Sequence, residues 1–151
     1  MTSPREDPLA LENQVCFALS VASRSVIGAY REVLDPLHLT HPQYLVMLAL
    51  WQSAPMALKD LAAVLRQEPA TLSPLLKRLE NQGYLTRERS TADERTLIVE
   101  LTEEGRQLRE RALEVPEIML DRLGLDEEGF VELHRTLTSL LAGLDHAQQL
   151  R

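Results

Sequence analysis

Pro69-Ala70-Thr71-Leu72-Ser73-Pro74-Leu75-Leu76-Lys77-Arg78-Leu79-Glu80-Asn81-Gln82-Gly83 runs straight into Tyr84-Leu85-Thr86-Arg87-Glu88-Arg89, and the reading of the fold turns on that junction. Before Gly83, Leu72, Leu75, Leu76 and Leu79 recur at helical spacing on one face, while Thr71, Ser73, Pro74, Lys77 and Arg78 fall largely elsewhere. The spacing predicts a helix over Ala70–Gln82, with Pro69 at its start and Gly83 as its stop. After Gly83 the period switches to two. Tyr84–Arg89 and Thr96-Leu97-Ile98-Val99-Glu100-Leu101 read as two strands, joined by the polar loop Ser90-Thr91-Ala92-Asp93-Glu94-Arg95.

Before the Ala70–Gln82 helix, Leu58-Lys59-Asp60-Leu61-Ala62 opens a short helix ending near Arg66, and Gln67-Glu68-Pro69 is a break. Short helix, tight turn, second helix and two-stranded hairpin make a helix-turn-helix followed by a wing. Upstream, Leu11, Val15, Leu19, Ala22, Val26, Tyr30, Val33 and Leu37 mark a long helix that Pro36 closes. Thr40 reads as an N-cap with Pro42 just inside and Gln43 at the capping-box position, opening a helix to about Gln52 whose nearly uncharged first turns imply burial. Ser53-Ala54-Pro55 is a turn. Downstream, Thr102 caps a helix with Glu103 and Glu104 at its positive end. Gly105 is unfavourable there by propensity, Pro116 is expected to kink or break the helix, and Asp126 caps a final one through about Ala147. The fold class is mainly α (α+β).

The second helix of such a unit can lie in a DNA major groove and present polar side chains to base edges. Thr71, Ser73, Lys77 and Arg78 are the candidates. Arg95 at the hairpin tip can reach an adjacent minor groove, with Asp93 expected to hold its guanidinium in a bidentate pair. Winged helices also serve as protein-interaction modules, and the pattern alone leaves that reading open.

Net charge argues the other way at first sight. The 151 residues carry 16 Lys+Arg against 23 Asp+Glu, a formal charge of -7. The deficit is local, however. Residues 59–95 hold seven basic residues and six acids, whereas residues 100–132 hold four basic residues and eleven acids. The middle of the chain can therefore present a basic face, while the overall charge implies weak non-specific DNA affinity and reliance on a matched operator. At this length the chain suits one domain, or one domain plus a helical arm, and 44% hydrophobic with 26% charged residues is a folding composition. No Ser-His-Asp order, glycine-rich phosphate loop or carboxylate pair points to an enzyme. His38 and His41 straddle the Thr40 cap rather than sharing a helix face, so neither a metal nor a cofactor is expected. No apolar run approaches the roughly 18 to 20 residues needed to cross a bilayer, and nothing near the first residues looks like a secretion signal; the expectation is a cytoplasmic protein with no membrane partner.

Asp93-Glu94-Arg95-Thr96-Leu97-Ile98-Val99-Glu100-Leu101-Thr102-Glu103-Glu104-Gly105 resembles the wing signature of MarR-type transcription regulators, and Leu79–Arg87 is similar to their recognition-helix exit. Leu11–Leu19, Thr40–Leu45 and Thr71–Glu80 resemble the one-cysteine subgroup that senses organic hydroperoxides. The resemblance covers about residues 9–120. It implies a homodimer with helices from 9–38 and 103–149 in a dimerisation layer and a winged helix-turn-helix over 40–101. Two such units would bind double-stranded DNA at a pseudo-palindromic operator as a repressor. Ala70, Pro74, Arg87 and Arg89 join Thr71, Ser73, Lys77, Arg78, Asp93 and Arg95 as residues expected on the DNA face. Three positions depart from the pattern: Ser20 and His41 stand where tyrosines are common, and Glu68-Pro69-Ala70 where Asp-Ser-Gly is usual.

The single cysteine divides the functional readings. Most lone cysteines are small buried apolar residues. Cys16, however, falls in the first turns of a helix, whose positive end favours the thiolate that peroxide attacks. With no second cysteine, a reversible product is a sulfenic acid, a sulfenamide or a mixed disulfide with a small thiol. The resemblance adds Tyr30 as a group that hydrogen-bonds to the cysteine, and His41 stands where the family has a second such tyrosine. Tyr30 lies 14 residues beyond Cys16, about 21 Å along a straight helix, so it could meet only the cysteine of a partner subunit. His41 can donate a hydrogen bond or, as imidazolium, favour the thiolate. The competing reading is a repressor released by a small aromatic or lipophilic ligand held between the dimerisation layer and the winged helix.

Overall fold

The computed structural model describes residues 7–150. Contacts divide the chain into two compact units, residues 1–114 and 115–151.

In the first unit a short 3-10 turn at Leu11–Asn13 leads into α1, Val15–Leu34, and a second at Asp35–Leu37 closes it. α1 is therefore shorter at both ends than the apolar spacing implied. Pro36 lies in the closing turn, and His38 follows with a left-handed backbone. α2, His41–Ser53, begins in the full capping box expected: the Gln43 N–H donates to Thr40 Oγ1 and the Thr40 N–H donates to Gln43 Oε1. Such a cap stabilises a helix by about 1 kcal/mol. Tyr44, Val46, Met47, Ala49 and Leu50 are buried, so α2 is the central helix of this unit.

The sequence reading placed only a turn between α2 and the next helix. Met56–Ala57 instead forms a short strand, β1, directly before α3, Leu58–Leu65. β1 pairs antiparallel with β3, Leu97–Leu101, through Met56↔Val99 and Ala57↔Ile98. α4, Pro69–Asn81, buries Leu72, Leu76 and Leu79. Leu75, expected on the same face, is only half-buried. Gly83 follows with φ 87°, the left-handed turn that glycine adopts without cost. β2, Leu85–Arg89, then pairs with β3 from Leu85↔Leu101 to Arg89↔Leu97. The sheet order is β1-β3-β2.

α5, Glu103–Ala112, starts at Thr102, whose hydroxyl accepts the Gly105 N–H at 3.0 Å. The structure explains Gly105: a Cβ there would collide with the Tyr84 carbonyl oxygen. Its own carbonyl accepts the Trp51 indole N–H at 2.8 Å, tying α2 to α5.

The second unit contains α6, Val115–Arg122, with Pro116 in its first turn, and α7, Glu127–Gln149. Asp126 caps α7 through its carboxylate, which accepts the Gly129 N–H at 2.8 Å. α7 buries no residue of its own, and Phe130, Leu133, Leu137, Leu140, Leu141 and Leu144 are all exposed. α1 likewise exposes Val15, Phe17, Leu19, Val21 and Ile27. No helix of the described residues is long and apolar enough to cross a membrane.

Candidate DNA interface and thiol site

The side chains of α4 sort by helical angle into three stripes. Leu72, Leu76 and Leu79 face the core. Ala70, Pro74 and Lys77 lie on the opposite side and are exposed, with the half-buried Ser73 beside them. Thr71 and Arg78 flank that surface and turn toward a cavity of about 450 Å³, which Leu75, Pro74 and Leu72 also line. The residues expected on one DNA-facing surface thus occupy two neighbouring ones. The Ser73 hydroxyl donates to the Pro69 carbonyl at 3.3 Å, a bond within its own helix.

The hairpin is braced from within. The Arg87 N–H and guanidinium both donate to the Glu80 carboxylate, at 3.0 and 3.2 Å, joining β2 to α4. These bonds hold the Glu80 carboxyl below the usual glutamate range. Arg87, expected on the DNA face, is therefore engaged in positioning the wing. Asp93 also differs from expectation. One of its oxygens accepts the Arg95 backbone N–H at 3.0 Å and the other the Thr96 hydroxyl at 3.2 Å, in place of the guanidinium pair. A carboxylate two residues away in sequence reaches the backbone N–H of a tight turn more readily than a guanidinium that extends outward. The Arg89 guanidinium donates to the Glu94 carbonyl at 3.1 Å, which fixes the other side of the loop. Arg95 stands exposed at the tip this loop presents.

Cys16 is exposed at the second residue of α1. Tyr30, near the other end of α1, packs its ring against His41 at 4.9 Å and against Tyr44 at 5.8 Å between centroids. Tyr44 was missed in the sequence, where it read only as one more apolar position of a buried helix. Burial pushes the Tyr30 and Tyr44 phenols up, with Tyr30 adding to the shift of Tyr44, and pushes the His41 imidazole down. His41 is thus favoured as a neutral donor or acceptor, and the imidazolium alternative is disfavoured. His41 also lines the 450 Å³ cavity, together with Ile27 and Leu45. Among the described residues, no group of three or more His, Cys, Asp or Glu is placed to hold a metal.

The family described as transcriptional regulator SarA/Rot matches residues 29–112, from α1 through α5. The chain belongs to this family, within the MarR type. It is 40% identical over 138 residues, 91% of this chain and 94% of the relative, to the organic hydroperoxide resistance transcriptional regulator of Bacillus subtilis (strain 168). Its fold is similar to that of reduced AbfR bound to DNA, a protein of Staphylococcus epidermidis, with a TM-score of 0.80 and 33% identity over 95% of this chain and 98% of that one. A MarR-family transcriptional regulator from Rhodococcus sp. RHA1 matches with a TM-score of 0.78 and 27% identity, over 87% of this chain and 95% of that one. SarA/Rot and MarR membership makes the chain a transcriptional regulator and not an enzyme, with the winged helix-turn-helix fold that the sequence implied. The reading as a protein-interaction module without DNA activity is set aside on the same ground.

Proposed function

We propose that this protein is a homodimeric, DNA-binding transcriptional repressor that leaves its operator when an organic hydroperoxide oxidises Cys16. The observation that carries the reading is the exposed thiol in the first turn of α1, in a chain with no second cysteine. The likeness to the Bacillus subtilis regulator supports it. The Cys16 thiolate attacks the peroxide. The O–O bond breaks as the S–O bond forms, sulfur is oxidised to a sulfenic acid, and the peroxide leaves as an alcohol after taking up a proton. A small thiol then condenses with the sulfenic acid, releasing water and forming a mixed disulfide. The protein acts in the cytoplasm, where the thiol starts reduced.

Residues 40–101 form the DNA-reading region. α4 enters the major groove with Ala70, Ser73, Pro74 and Lys77 foremost and Thr71 and Arg78 at its flank, and Arg95 reaches the minor groove. Arg87 and Asp93 hold the wing in shape. Residues 9–38 and 103–149 supply the dimerisation helices, whose apolar faces the partner subunit covers. In that dimer Tyr30 and His41 of one subunit receive the Cys16 of the other.

The test is a gel shift on DNA carrying the promoter beside its own gene, with and without cumene hydroperoxide. Wild type should release the DNA, whereas Cys16→Ser should bind it and ignore the peroxide. Indifference of the wild type to peroxide sinks the sensing claim.

The apolar cavity favours a second reading, in which a small aromatic or lipophilic ligand triggers release. Its volume lies in the range of small-molecule sites. Release of Cys16→Ser from DNA by such a ligand as readily as wild type would favour that reading over oxidation.

A further inference from the structure

Gln43 is the one buried polar or charged side chain among the described residues, with 4% of its surface exposed. A buried amide is tolerated when each of its ends has a partner, and both ends of Gln43 do. Its Oε1 accepts the Thr40 backbone N–H at 2.9 Å, which is the ordinary capping-box bond. Its Nε2 donates to Gln82 Oε1 at 3.1 Å, which no helix cap requires. Gln82 in turn donates through Nε2 to the His38 carbonyl at 2.8 Å. Two side-chain amides therefore strap the segment His38–Thr40 to Gln82.

The two ends of this strap are the places that matter. Gln82 is the C-terminal cap of α4, and its N–H closes the last turn of that helix onto Arg78 and Glu80. Thr40 is the N-terminal cap of α2, directly before His41, whose ring packs on Tyr30. Tyr44, next to Gln43, packs on the same Tyr30 ring. A shift of the Tyr30–His41–Tyr44 cluster moves the first turn of α2. That turn cannot move away from α4 without leaving the Gln43 amide buried and unpaired, which is costly. Dragging the exit of α4 along with it keeps the amide paired.

We propose that the Gln43–Gln82 pair couples the aromatic cluster to the recognition helix, and that Gln82 is a positioning residue for the oxidative response. The proposal rests on the reading of Cys16 as the sensor. Gln82 is exposed and can be replaced without opening the core. Gln82→Ala removes the strap, and Gln82→Met keeps most of its length without its hydrogen bonds.

The full-length homodimer is tested on the same promoter fragment, reduced and after cumene hydroperoxide, with sulfenic acid formation at Cys16 followed by dimedone trapping and mass spectrometry. Both variants should trap dimedone at the wild-type rate and bind DNA when reduced within about threefold of wild type, while the loss of affinity on oxidation shrinks by about tenfold. Variants that lose DNA on oxidation as fully as wild type overturn the coupling and leave the Cys16 reading standing. Variants that fail to bind DNA even when reduced show a static brace and also overturn it. A wild type that forms sulfenic acid yet keeps its DNA overturns the sensor reading and the coupling together.

Discussion

Burial disfavours the charged form of His41, and that has a measurable consequence for stability. The fold prefers the neutral ring, while the unfolded chain protonates near the ordinary value of 6.5. The contribution of His41 is therefore complete above that value and is lost as pH falls below it toward the lowered folded value. Thermal melts from about pH 7.5 to pH 5.5 should show wild type losing more stability than His41→Gln. Equal slopes for the two proteins would mean that the ring is protonated as easily in the fold as outside it. At this scale the sequence was legible where a residue acts on its neighbours. The box of Thr40 and Gln43 and the caps at Thr102 and Asp126 can all be read from residues two or three positions apart. It was illegible where the partner is remote. Nothing local says that Tyr44 would meet Tyr30, or that Gly105 is glycine because the Tyr84 carbonyl lies against it.

Between elements, the junction of α4 with β2 separates two kinds of arginine. Arg87 is held by Glu80, whereas Arg95 stands at the exposed tip of the β2–β3 loop. A cation that pairs with a phosphate releases counterions, so its loss flattens the salt dependence of DNA binding by about one in the log–log slope. Arg95→Ala and Lys77→Ala should each show that change. Arg87→Ala should instead lower the melting temperature and weaken DNA binding with the salt slope nearly intact. A slope change for Arg87→Ala equal to that of Arg95→Ala would return Arg87 to the DNA face. The switch of period at Gly83 made α4, β2 and β3 readable to within a residue or two. β1 was unreadable for a physical reason: two residues carry no periodicity, and Met56–Ala57 is a strand only because Val99 and Ile98 lie beside it.

Large apolar side chains stand exposed on two helices of the chain. α7 exposes a row of large apolar residues along one face, and α1 exposes Val15, Phe17, Leu19, Val21 and Ile27 around its circumference, more than single surface leucines would account for. Putting charges into one such row should separate the dimer. Leu137→Glu combined with Leu141→Glu is expected to sediment as a monomer at low micromolar concentration and to lose operator binding with it. Dimeric sedimentation of that variant would mean that α7 lies outside the interface. The sequence made α1 legible by its apolar spacing and α7 by its Asp126 cap, but periodicity does not say what covers them, since a stripe that faces a partner has the same period as one that faces the core.

The sheet order β1-β3-β2 leaves β2 with one side unpaired. An open strand edge invites another strand, and two wings brought close on neighbouring operators would be candidates for such pairing. β2 runs Leu85-Thr86-Arg87-Glu88-Arg89, and its outer half carries a charge at every position. Such an edge is a poor template for a foreign strand, because the Arg87 N–H is already bonded to Glu80 and an added strand would have to strip water from the charges of Glu88 and Arg89. The wing can thus be presented at high local density without becoming the seed of an aggregate.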